Sequence, residues 1–120
     1  MAKQIPIKTF RDDRGSLAVI ERELGFPVRR VFYLFDVKKP RGGHGHLRSK
    51  TALIALNGQV IVEGQTPEKD FSFTLSSPDQ CLLLNVEDWH EVIFSPGAIL
   101  LVLASEEYGH DDYFYKKYRE

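Results

Sequence analysis

The sequence predicts an all-β fold of the jelly-roll or double-stranded β-helix kind, a single domain over residues 1–120 with a short C-terminal tail. Three observations lead there. The apolar segments are too short for helices and are rich in β-branched and aromatic residues. Turn-forming clusters recur between them at near-regular spacing. About nine strands result, in a chain whose length suits one hydrophobic core.

The elements follow in order. Residues 4–9 and 16–21 supply two N-terminal strands, separated by Asp12-Asp13-Arg14-Gly15. Gly25-Phe26-Pro27 breaks the chain before residues 31–37, Val-Phe-Tyr-Leu-Phe-Asp-Val. Lys39-Pro40-Arg41-Gly42-Gly43 is the next breaker. Residues 51–56 and 59–63 flank Asn57-Gly58, a pattern that predicts a hairpin. Residues 71–75 alternate with period two. Residues 81–86, 91–94 and 98–104 complete the strands. The tail, residues 106–118, is the one segment with a helical pattern, and its many tyrosines are expected to pack against the barrel.

Composition narrows the function. Sixteen Lys+Arg face 17 Asp+Glu, a net charge of −1, which argues against a nucleic-acid binder. No apolar run reaches the roughly 20 residues of a membrane helix. The N-terminal stretch MAKQIPIKTF lacks the apolar core of an export signal, so a cytoplasmic location is expected. One cysteine, Cys81, allows neither an internal disulfide nor a cysteine-based zinc site, and its apolar run marks it as an inert buried thiol. The charge is unevenly spread. Residues 1–50 hold 12 basic and 5 acidic residues, residues 51–120 hold 4 and 12. The basic stretch from 29 to 50 suits a small anionic ligand such as a nucleotide diphosphate, or is a solvated charged face.

The strongest local signal is Arg41-Gly42-Gly43-His44-Gly45-His46. Two histidines two residues apart point to the same side of a strand. Inside a barrel they place two imidazoles in one cavity, and on an exposed edge they do nothing. A histidine with its ordinary pKa of about 6.5 is suited to removing a proton beside a ketone.

The His-x-His pair, a closing glycine at Gly58 and a later histidine, His90, resemble the two motifs of the cupin superfamily. Metal-binding cupins carry a glutamate where this chain has Lys50 or Thr51, so three histidines would have to hold a metal without an anionic ligand. A closer resemblance runs through nearly the whole chain. It comprises Arg14-Gly15-Ser16-Leu17, Glu21, Arg30 through Val37, the histidine motif, Leu56-Asn57-Gly58, Trp89-His90-Glu91, Phe94-Ser95, Leu100 through Ser105, and Asp112-Tyr113. In this ordered set the chain is similar to the sugar 3,4-ketoisomerase family of cupins. The loop before His44 is shorter than in the family, and Leu47 and Thr51 stand where lysine and glutamine are usual.

The resemblance implies an isomerase with no metal and no cofactor. It moves the ketone of a dTDP-4-keto-6-deoxyhexose from carbon 4 to carbon 3 through an enediol. The product feeds an aminotransferase making a 3-amino sugar for an antibiotic or for a surface polysaccharide such as lipopolysaccharide O-antigen. Family members are homodimers that exchange N-terminal strands. The resemblance makes His44 the base at carbon 3 and His46 the group that carries the proton to carbon 4 or orients the substrate. It matches Tyr33 to an active-site tyrosine and Arg14 to an arginine that holds the sugar or pyrophosphate. Arg41, Arg48 and Lys50 flank the histidines and are the candidates for the pyrophosphate. The last two share the histidines' side if the strand runs on unbroken. Trp89 either lines the mouth or anchors the core, and His90 either contacts substrate or serves as a structural hydrogen-bonding residue. Tyr33 read from its strand alone is a core tyrosine, and Arg14 read from its loop alone is a turn residue. The rival functions are a sugar-nucleotide 3,5-epimerase, a metal-dependent cupin, and a sugar-nucleotide-binding module without turnover.

Overall fold

A computed structural model describes residues 2–120. Twelve strands are present among them: β1 (Lys3–Pro6), β2 (Lys8–Asp12), β3 (Gly15–Val19), β4 (Arg30–Leu34), β5 (Arg41–His46), β6 (Thr51–Asn57), β7 (Val60–Gln65), β8 (Asp70–Leu75), β9 (Gln80–Leu84), β10 (Trp89–Phe94), β11 (Ile99–Ala104) and β12 (Tyr113–Phe114). Two five-stranded antiparallel sheets face each other, in the orders β1-β9-β6-β11-β4 and β12-β5-β10-β7-β8. From β4 to β11 the chain changes sheet at every connection except the β7–β8 hairpin. That alternation is the jelly-roll path, so the all-β expectation holds.

The core lies between the sheets. Val60 and Val62 of β7, Leu75 of β8, Leu82 of β9 and Leu100 of β11 are essentially sealed from solvent. Period-two burial along β7 and β10 follows from one face packing inward and the other meeting water. A second cluster covers the outer face of the first sheet. There Ile7, Ile20, Leu24 and Phe26 of the N-terminal segment lie on Ala52, Ile54, Cys81 and Leu103. Cys81 is fully buried, and burial pushes its thiol up to about 11, which keeps it unreactive.

Three expectations need correction. Asn57-Gly58 does turn, with Gly58 at φ +71°, but the strands it joins do not pair. β6 belongs to one sheet and β7 to the other, so the turn is a crossover between layers. A Cβ at Gly58 would lie 2.9 Å from the Ala98 backbone, so close packing excludes a side chain there. The tail is not helical. It makes a single 3-10 turn at His110–Asp112 and then β12, which pairs with the edge of β5. Backbone pairing to an open edge outweighs a weak helical pattern. The first N-terminal segment is broken into β1 and β2. β2 pairs only with β3, in a two-stranded hairpin that stands apart from both sheets.

Candidate active site

Three neighbouring strands build the site. His44 on β5 lies directly across from His90 on β10, and His46 lies across from Tyr113 on β12. Residues opposite each other in an antiparallel pair share a face, so all four rings turn into the same cavity. The ring centroids of His44 stand 5.1 Å from His46, 4.9 Å from His90 and 4.8 Å from Tyr113. The cavity has a volume of about 730 Å³ and opens between the β4 edge of one sheet and the β5–β12 edge of the other. Its floor is apolar, with Leu53, Val92 and Leu100, and its rim carries Lys38, Lys39 and Arg41. This size and lining suit a small organic ligand.

Asp112 anchors the cluster. It is 2% exposed and its carboxylate accepts hydrogen bonds from His46 Nδ1 (2.9 Å), Ser49 Oγ (2.5 Å) and the Arg48 backbone N–H (2.6 Å). Its own carbonyl receives the Leu47 N–H. Burial raises the carboxyl's pKa, but these donors outweigh it and hold the group below its ordinary value, so it is ionised. A carboxylate can only accept, so the His46 proton sits on Nδ1 and Nε2 is left as a base.

All three imidazoles are held neutral. Burial lowers the pKa of His44, helped by neighbouring His46 and Arg30 and opposed by a hydrogen bond to the Gly42 backbone. Burial also lowers His46 against the pull of Asp112. His90 is the extreme case, lowered to about 3 by burial and by His44. Its Nδ1 faces the Asp88 carbonyl at 3.3 Å, which fixes the tautomer. A stability effect follows. Between pH 3 and 6.5 the unfolded chain protonates His90 and the folded chain does not, so stability falls as pH drops through that window. The slope is about 1.4 kcal/mol per pH unit for this one group. His90→Gln keeps a donor for Asp88 but cannot titrate. Urea melts from pH 6 to 4.5 are expected to show a shallower loss in the variant, and equal slopes would mean that His90 charges freely in the fold.

The structure redistributes the remaining candidates. His44, His46, His90 and Arg41 line one cavity. Tyr33 is 63% exposed and stands on the opposite face of β4 from the inward Arg30, Phe32 and Leu34, bordering the cavity only at its outer rim. It is therefore neither a core residue nor a neighbour of the imidazoles. The tyrosine that faces them is Tyr113. Arg14 lies at the tip of the β2–β3 hairpin, bound to Asp12 at 2.7 Å and outside the cavity of its own chain. Arg48 and Lys50 are also outside it, because β5 stops at His46 and the parity argument ends there. Arg48 pairs instead with Asp111. Trp89 is on the outer face of β10, where its Nε1 donates to the Tyr115 carbonyl and ties down the tail. Sequence reasoning missed Asp112, Tyr113 and Arg30 as site residues, although Asp112-Tyr113 stood out as a motif.

Known proteins share this sequence pattern and this fold. Residues 2–120 match the family described as FdtA: WxcM-like, C-terminal. The TDP-4-oxo-6-deoxy-alpha-D-glucose-3,4-oxoisomerase of Aneurinibacillus thermoaerophilus is 36% identical, over 97% of this chain and 91% of that protein. A 3,4-ketoisomerase from Helicobacter canadensis superimposes with a TM-score of 0.91 at 33% identity, covering 96% of this chain and 90% of the other. A mutant 3,4-ketoisomerase from Thermoanaerobacterium thermosaccharolyticum, solved with TDP-4-keto-6-deoxyglucose, gives 0.88 at 32%, covering 96% and 87%.

Proposed function

The chain belongs to the FdtA family, WxcM-like, C-terminal, and from that membership we propose that it isomerises a dTDP-4-keto-6-deoxyhexose to the 3-keto sugar. The observation that carries the reading is a neutral His44 in a cavity, beside a His46 whose tautomer Asp112 fixes. His44 takes the proton from carbon 3. The C–H electron pair becomes the C3=C4 double bond, and the carbonyl pair moves onto the oxygen of carbon 4. A proton then passes from the carbon 3 hydroxyl to that oxygen. His44 releases its proton to solvent, and His46 Nε2, a free base, takes one up and delivers it to carbon 4, so the carbon 3 oxygen closes to a ketone and both imidazoles end neutral. Each atom and electron is conserved, so the reaction needs no redox partner.

We read the chemistry as metal-independent. The Arg30 guanidinium beside the rings repels a cation, and Lys50 or Thr51 stands where metal-binding cupins carry a glutamate. Lys38, Lys39 and Arg41 at the rim are the donors for the diphosphate. A homodimer with exchanged N-terminal strands fits the β2–β3 hairpin, which has no further sheet partner among the described residues and exposes Phe10 and Leu17. Exchange would carry Arg14 to the other subunit. A cytoplasmic place in the making of deoxy-amino sugars completes the proposal, for a chain in which no helix is long and apolar enough to cross a membrane.

Proton NMR of the protein with dTDP-4-keto-6-deoxyglucose in deuterated water tests the reading. A 3-keto species with deuterium at carbon 4 is the expected product. Deuterium at carbons 3 and 5 with the ketone still at carbon 4 would identify an epimerase instead. Absence of any exchange would leave a binding protein.

A further inference from the structure

We propose that Arg30 is the catalytic cation of this site, contacting the sugar oxygen that becomes negative as the enediolate forms; this rests on the ketoisomerase reading above. Arg30 opens β4, with its side chain on the inward face. Its guanidinium lies over the Phe32 ring at 4.4 Å and the Tyr108 ring at 5.2 Å. Its NH1 donates to the Tyr113 hydroxyl at 3.3 Å, a bond that bridges the open edges of the two sheets. The Tyr113 ring in turn touches both His44 and His46.

What Arg30 lacks points to its ligand. Arg11, Arg14, Arg48 and Arg119 each hold an aspartate, and the other arginines without one, Arg22, Arg29 and Arg41, are exposed. Among the described residues no carboxylate lies within ion-pair distance of Arg30, although it is half-buried. Aromatic faces steady its plane and leave most of its donors unused. A planar fork already fixed in place, facing neutral bases, is suited to a charge that appears only during reaction. The same cation adds to the effect of burial, the main cause that lowers the pKa of His44 and His46.

Two anionic groups of the substrate could meet this fork, the enediolate and the diphosphate. The rim cations Lys38, Lys39 and Arg41 already offer charge for the diphosphate, and Arg30 is linked through Tyr113 to the bases. The assignment is therefore to the enediolate. The two outcomes separate by kinetics. Losing a contact made in the transition state lowers kcat, whereas losing a diphosphate contact weakens dTDP binding.

The experiment measures kcat for dTDP-4-keto-6-deoxyglucose and the Kd for dTDP, in wild type, Arg30→Gln and Arg30→Lys. Arg30→Gln is expected to lose about 100-fold or more in kcat, with dTDP affinity within about twofold of wild type. Arg30→Lys keeps the charge without the fork and is expected to lie between, which carries the test should the glutamine variant unfold. Unchanged kcat in a folded variant overturns the proposal. So does a tenfold loss of dTDP affinity, which would assign Arg30 to the diphosphate. A wild-type protein that fails to isomerise would sink the ketoisomerase reading itself, before any variant is compared.

Discussion

Replacing His44 with asparagine is expected to lower kcat by about a thousandfold while the protein stays folded, because the loss of a positioned base typically costs 10²–10⁴. The ring is half-buried among His46, His90 and Tyr113. Asparagine can keep the hydrogen bond to the Gly42 backbone and remains polar in a polar cluster. It cannot take a proton from carbon. KM is expected to change little, since the proposed diphosphate donors are the rim cations and not His44. The decisive readout is exchange at carbon 3 in deuterated water, which should vanish with turnover. Exchange at a near-normal rate would hand the base to another group. The wild-type pH profile checks the same assignment. Burial lowers the pKa of His44, so the base stays unprotonated into mildly acid solution. The acid limb of kcat/KM should therefore lie below pH 6.5, the ordinary value for histidine.

What the sequence revealed of this site was what local spacing can carry. His44 and His46 share a face because a strand repeats every two residues, and that needs no knowledge of partners. Tyr33 shows the limit of the same rule. Whether Phe32 or Tyr33 faces the cavity depends on which side of β4 the rest of the fold covers, and a shift of one residue inverts the answer. Arg48 and Lys50 fail for a related reason, since parity means nothing beyond the end of β5 at His46. Asp112 is hidden in another way. It reaches His46 from 66 residues away, through a tail that becomes a strand only by pairing with β5. The Asn57-Gly58 turn was legible, but the sheets receiving its two strands were set by the global path of the chain. Breaker spacing and β-branched runs sufficed for the class of fold, whereas contacts between distant segments decided which residues meet.

The second large effect is expected at Asp112. Asp112→Asn preserves shape but changes one oxygen into a donor. Oδ1 already accepts the Arg48 backbone N–H, which cannot rotate away, so the new amide nitrogen must take the place of Oδ2. There it faces His46 Nδ1 and the Ser49 hydroxyl. The hydroxyl can turn to accept. The imidazole can accept only by moving its proton to Nε2, so His46 would present a donor to the cavity where it had presented a base. An aspartate that fixes a histidine tautomer elsewhere is worth about 10⁴ in kcat. In the proposed mechanism His46 serves the second proton transfer, so a loss of about 100-fold or more in kcat is expected. Loss of the charge-assisted bonds should cost stability by about 1–3 kcal/mol. A structural role alone would produce that destabilisation without altering the imidazole. Nitrogen NMR of His46 separates the two, since the protonated nitrogen should change from Nδ1 to Nε2 in the variant. Asp112 also raises the pKa of His46 in the wild type, so its removal should shift that titration further down. A variant with the original tautomer and full activity would reduce Asp112 to a strap for the tail.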